Sequence, residues 1–184
     1  NEGYYFIHPF DGPLTLQGSA TLGLEIVEYF KSINTKIDNL LISVGGGGLI
    51  SGVSSYVKQF YPKIQIIGVE PENANGLNQS FRANKPLNNV KVNSIADSLS
   101  APLHMQYSFE VAKEVIDEMV TVSDDQMKEF MVFCYKKFKL FLEPACVAGL
   151  AALKYKINKE LIGKNTMVIL CGSNIDKKTW LNLT

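Results

Sequence analysis

Arginine is nearly missing from this 184-residue sequence: Arg82 is the only one among 18 basic residues. A bidentate guanidinium cluster for phosphate or carboxylate therefore cannot be assembled, and any phosphate must be held mainly by backbone N–H groups. An excess of either charge is missing too, with 18 Lys plus Arg against 18 Asp plus Glu. That balance gives no electrostatic case for a nucleic acid or an anionic membrane, and the expected partner is a small molecule. The cysteines Cys134, Cys146 and Cys171 have no CxxC spacing, and His8 and His104 stand alone. Neither a disulfide framework nor a structural zinc site is indicated, and a reducing, cytoplasmic setting fits. No apolar run approaches the ~18 residues of a membrane helix, and no signal-peptide pattern opens the chain. Methionine is absent from the first position, where Asn1 stands, so the chain reads as part of a longer protein.

What is present is 46% hydrophobic residues, enough for one sizeable core and one domain. Apolar spacing predicts a helix from about Ser19 to Ile33, carried by Leu22, Ile26, Val27 and Phe30, then a strand from Asn39 to Val44. A helix to about Phe60 follows, and then a strand through Ile64, Ile66, Ile67 and Val69 that ends in Glu70. Pro71 to Asn93 reads as loop with one short helix. Further expectations are a helix over Gln106 to Ile116, a strand over Met119 to Val122, a helix opened by Asp124 and Asp125, and one started by Pro144. Met167 to Leu170 is the last strand, followed by a tight turn from Cys171 to Asn174. The alternation predicts an α/β fold, an open, mostly parallel twisted sheet flanked by helices, without internal repeats. Ligands bind such sheets at the carboxyl ends of the strands, where the loops after Val44, Val69 and Leu170 leave.

The stretch "LLISVGGGGLISGVSSYV", Leu40 to Val57, places four glycines between a strand and a helix. Glycine costs backbone entropy, so four imply close approach to the backbone or positive φ. A strand, glycine loop and helix make an anion nest at a helix N-terminus. A dinucleotide loop would give Glu70 a ribose to hold, but the G-x-G-x-x-G spacing fails; a Walker loop fails for want of Lys-Ser or Lys-Thr. Glycines that merely allow tight packing are the structural alternative. A single phosphate monoester is the best physical fit.

Six blocks then stand in order: "HPFDGP" (His8 to Pro13), "VGGGGLISG" (Val44 to Gly52), "GVEPENA" (Gly68 to Ala74), "SIADSL" (Ser94 to Leu99), "LEPACVAGLAAL" (Leu142 to Leu153) and "VILCGSNID" (Val168 to Asp176). Together they resemble pyridoxal-phosphate enzymes of fold type II, most of all threonine/serine dehydratases (ammonia-lyases), with serine racemase nearby. The resemblance implies that Gly45, Gly46, Gly47, Gly48 and Leu49 cradle the phosphate of pyridoxal 5'-phosphate, and that Cys171 faces its pyridine nitrogen. Taken by itself, Cys171 reads more readily as a small buried hydrophobe at a strand end; the block "LCGSNID" is what favours the cofactor position. Phe10 lies near the cofactor in such enzymes. Glu143 matches an acidic residue near the site, with a surface charge ahead of a helix as the alternative. Glu70 and the Ala74 carbonyl match two of three ligands of a divalent-cation site, but the third falls at Gly76, which has no side chain; Glu70 as a solvated charge is the alternative. Ser98 stands where the family has glycine.

The resemblance also implies what this chain lacks. No catalytic residue is matched: the Schiff-base lysine and the loop that binds the substrate carboxylate belong to a smaller domain and an N-terminal part not represented here. The expectation is the C-terminal part of the large cofactor-binding domain, residues 1–184. The whole enzyme would take an amino acid such as L-threonine or L-serine, eliminate the β-hydroxyl, release a 2-oxo acid and ammonia, and form a homo-oligomer. A serine or hydroxyaspartate racemase and a non-catalytic remnant that binds phosphate ligands are the alternatives.

Overall fold

The computed structural model describes residues 3–157 and 159–184. Four strands, β1 (Asn39–Ser43), β2 (Gln65–Pro71), β3 (Glu118–Val122) and β4 (Thr166–Val168), form one sheet in the order β3-β2-β1-β4. Every pairing is parallel, with Leu41 opposite both Ile67 and Val168. β1 is buried along its whole length. Its side chains alternate between two cores: Leu40 and Ile42 enter one, Leu41 the other. That is the pattern of a parallel strand covered on both faces.

On the Leu40 face lie α1 (Pro13–Ser32), α2 (Gly48–Phe60), α3 (Gly76–Ala83) and α4 (Gln106–Val115), which contribute Ile26, Val53, Leu77 and Phe109. α1 and α2 approach closely because a Cβ on Gly23 would stand 2.7 Å from the Val53 carbonyl oxygen, so glycine is needed there. On the other face lie α5 (Asp124–Phe138) and α6 (Pro144–Tyr155), with Met127, Met131, Val147 and Ala151 in the core. α5 starts on a reciprocal cap: Ser123 Oγ accepts from the Gln126 N–H, and Gln126 Oε1 accepts from the Ser123 N–H. α7 (Lys177–Leu183) closes the chain, its Trp180 ring N–H donating to the Leu142 carbonyl at 3.1 Å.

The α/β class, the parallel sheet and its flanking helices are as expected. Four details differ, one being α7, where no helix was expected because seven residues give too few apolar positions to show a period. α1 begins at Pro13, six residues ahead of the expected Ser19, because proline suits the first helical position and Gly12, at φ 94°, supplies the turn into it. β2 runs one residue past its expected end at Glu70, to Pro71, and both residues pair with β3. β4 ends at Val168, although the Ile169 N–H still reaches the Leu41 carbonyl at 3.1 Å.

Candidate functional site

The carboxyl end of the sheet is where a cavity of about 300 Å³ opens, floored by Ser43 and the glycine loop Gly45–Gly48 and walled by Phe10, Glu143 and Cys171. The loop leaves β1 and enters α2 through Gly47, whose φ of 92° suits glycine. α2 has no side-chain cap and no acidic residue in its first turn. Its first internal bond runs from the Ser51 N–H to the Gly47 carbonyl, so the N–H groups of Gly48, Leu49 and Ile50 precede the helical ladder. Those donors and the helix dipole favour an anion at that point.

Three of the four glycines also answer to packing. A Cβ on Gly45 would meet the Ser98 carbonyl oxygen at 2.9 Å, one on Gly48 the Phe10 carbonyl oxygen at 2.6 Å, and one on Gly46 the Phe10 ring itself. Only Gly47 has room, with Leu77 at 3.8 Å. Tight packing and an uncapped helix start therefore coexist in the same four residues. Phe10 is held over the loop by an edge-to-face contact with His8 at 4.5 Å between ring centroids, and Thr15 Oγ1 donates to the His8 carbonyl at 3.0 Å.

The opposite wall is tied together by Glu143. Its Oε1 accepts from Ser98 Oγ at 2.9 Å and its Oε2 from the Asn174 N–H at 3.0 Å, joining the segment after Ala96 to the turn after Cys171. Glu143 is half-buried in this wall, so the free surface charge is set aside. Cys171 is exposed and borders the cavity, not the core, which corrects the buried-hydrophobe alternative. Surrounding protein first, and the Glu143 carboxylate second, raise its thiol above the ordinary range, so the sulfur keeps its proton.

Glu70 lies elsewhere. It is fully buried at the end of β2, which corrects the solvated-charge alternative. Its Oε1 accepts from the Leu77 N–H at 2.8 Å and its Oε2 from the Asn78 N–H at 3.0 Å, so the carboxyl caps α3. Burial pushes its pKa up to about 8 against the pull of those two donors. Ala74, also buried, sits in the short 3₁₀ turn Glu72–Ala74. Among the described residues no three His, Cys, Asp or Glu side chains gather into a metal-binding group.

Sequence reasoning missed two contacts. Ser98 spans to Glu143 across 45 residues, and His104, treated as a lone histidine, places Nε2 3.2 Å from the Gly45 carbonyl oxygen across 59. Neither has a local signal, since both depend on how distant loops meet above the sheet.

The features fit a cofactor with a phosphate at one end and a ring at the other. Uncapped N–H groups border the cavity at one side, and a neutral thiol stands on its wall. The family described as "Pyridoxal-phosphate dependent enzyme" matches residues 1–172. Over 179 residues the chain is 43% identical to a phenylserine dehydratase of Ralstonia pickettii, covering 97% of this chain and 54% of that one. It is 32% identical over 176 residues to the catabolic L-threonine dehydratase of Escherichia coli K12, covering 95% and 52%. Superposed on the processed form of threonine deaminase isoform 2 from Solanum lycopersicum, it gives a TM-score of 0.91 at 32% identity, covering 99% of this chain and 52% of that one. The chain spans about half the length of the curated relatives it matches.

Proposed function

The chain belongs to the pyridoxal-phosphate dependent enzyme family, and from that premise we propose that it is the cofactor-binding, C-terminal part of a cytoplasmic dehydratase (ammonia-lyase) acting on a β-hydroxy-α-amino acid such as L-threonine or L-serine. The observation that carries the reading is the glycine loop feeding an uncapped helix into a cavity of about 300 Å³. The higher identity to a phenylserine dehydratase favours, as a second reading, a member of that substrate class with an aryl group on the β-carbon.

Bound here, pyridoxal phosphate would supply an electron-withdrawing ring that lowers the barrier to removing the α-proton of an amino acid. The chain's own part is to hold and orient. Backbone N–H groups of Gly45 to Leu49 would take the phosphate without a positive side chain, as the scarcity of arginine requires. Phe10 packs against Gly46 and Gly48 and holds the loop's shape. Cys171 Sγ, protonated by virtue of its surroundings, would face the ring nitrogen as a neutral group. A carboxylate at that position would hold the ring nitrogen protonated, whereas a thiol leaves the electron sink weaker and suits elimination of a β-substituent. Glu143, fixed by Ser98 and Asn174, keeps the wall that carries Cys171 in place.

No lysine borders the cavity among the described residues, so the covalent anchor and the base are assigned to the N-terminal part of the enzyme. A divalent cation at Glu70 and the Ala74 carbonyl forms no part of this reading, because both Glu70 oxygens already accept backbone N–H groups.

The test is release of 2-oxobutanoate, pyruvate or phenylpyruvate from the matching amino acid. The chain alone with cofactor should give background turnover; joined to an N-terminal part that carries the anchoring lysine, it should give 2-oxo acid and ammonia. Turnover by the chain alone, or none by the joined protein, would overturn the assignment.

A further inference from the structure

His104 is a buried imidazole that the reading above leaves without a task. It lies outside the cavity, behind the glycine loop, and its Nε2 is 3.2 Å from the Gly45 carbonyl oxygen. A carbonyl only accepts, so Nε2 carries the proton. Burial lowers the imidazole's pKa, and the bond to Gly45 opposes that shift.

The ring is closely fitted. Its Cε1 would be 2.6 Å from a Cβ on Gly76, so it fills the space that a side chain at Gly76 would occupy. Ser80 Oγ is 3.5 Å from Nδ1, but that hydroxyl already donates to the Gly76 carbonyl at 2.9 Å and accepts from the Leu87 N–H at 3.1 Å. The His104 N–H is anchored on the Leu87 carbonyl at 2.7 Å. The strong polar contact of the imidazole is therefore the one to Gly45.

In a trans peptide the C=O and the following N–H point in opposite directions. The Gly45 carbonyl shares its peptide with the Gly46 N–H, and the flanking glycines place little restriction on its rotation. We propose that His104 is a positioning residue for the phosphate loop: by holding the Gly45 carbonyl on the far side, it turns the Gly46 N–H toward the anion and keeps the carbonyl's negative end away from it. This rests on the assignment of the loop as a phosphate site.

The experiment is titration of the full chain with inorganic phosphate, with pyridoxal phosphate and with pyridoxal, which lacks the phosphate. His104→Leu should weaken binding of phosphate and pyridoxal phosphate by about tenfold or more, since the freed Gly45 carbonyl no longer holds the Gly46 N–H in its charge-assisted hydrogen bond to the anion. Pyridoxal affinity should not change. His104→Gln, which keeps an amide donor at a similar reach, should recover affinity to within about threefold of the unaltered chain. Unaltered phosphate affinity in a folded His104→Leu chain, or equal losses for pyridoxal, would overturn the proposal. Should His104→Leu fail to fold, nitrogen NMR of the unaltered chain decides. A proton on Nε2 whose resonance moves on adding phosphate supports the role; a proton on Nδ1, or an Nε2 resonance indifferent to phosphate, overturns it. Failure of the unaltered chain to bind phosphate at all would refute the phosphate site itself and this role with it, so the two failures are distinguishable.

Discussion

Two helix N-termini face the same end of the sheet region and meet opposite fates. α3 is closed by its own protein: the Glu70 carboxyl, fully buried, accepts from the Leu77 and Asn78 N–H groups. α2 is open: its first turn has no capping side chain and no acid, and it borders a cavity. Both ends attract negative charge through the same orphan donors and dipole. The difference teaches that the buried Glu70 satisfies the donors of α3 from within the protein, whereas the donors at the start of α2 have no protein side chain to satisfy them, which is why a ligand is proposed there.

The largest effect expected from breaking this contrast is at the open end. Gly46→Val places a branched side chain into the Phe10 ring and should reduce phosphate and pyridoxal phosphate affinity by about a hundredfold or more, read by calorimetric titration. Next, Glu70→Ala strips both acceptors from α3 and should destabilise the fold by about 2–4 kcal/mol in urea unfolding, since two donors lose their buried partner. In the folded population of that variant, phosphate affinity should stay at the unaltered value; a parallel loss would mean that the two ends are not independent.

A smaller effect sharpens the closed end. Glu70 has a folded-state pKa raised from 4.5 to about 8, so the folded state holds its proton more tightly than the unfolded one. Its contribution to stability is fully present below the unfolded value and is lost as pH rises through about 8. The fold should be more stable near pH ~5 than near pH ~9, by at most about 5 kcal/mol from this group. Glu70→Gln, which does not titrate, should flatten that part of the profile. An equally steep profile in the variant would place the titration elsewhere.

The contrast also explains how far the sequence could be read. The strands and the glycine loop were legible because they are local: Leu40, Leu41, Ile42 and Val44 are apolar, and the glycines follow at once. The start of α5 was legible at Asp124 and Asp125 for the same reason, whereas its cap by Ser123 and Gln126 was not read. The reach of α1 back to Pro13 was not, since Leu16 is the sole buried side chain before Leu22's turn and gives no period by itself. α7 was missed because seven residues carry too few apolar positions to establish a period; only Trp180 is buried. Glu70 is the instructive case. An acid at a strand end reads equally as a ribose holder, a cation ligand or a surface charge, and its burial depends on α3 folding back over it. Ser98 and His104 depend still more on distant segments, so their contacts with Glu143 and Gly45 had no signature in the chain.

The most direct measurement is a backbone amide NMR titration of the unaltered chain with inorganic phosphate. The open-end account predicts saturable shifts at Gly45 to Leu49 and still resonances at Leu77 and Asn78, whose N–H groups are held by Glu70. Shifts centred on Leu77 and Asn78, or none at the glycine loop, would contradict it.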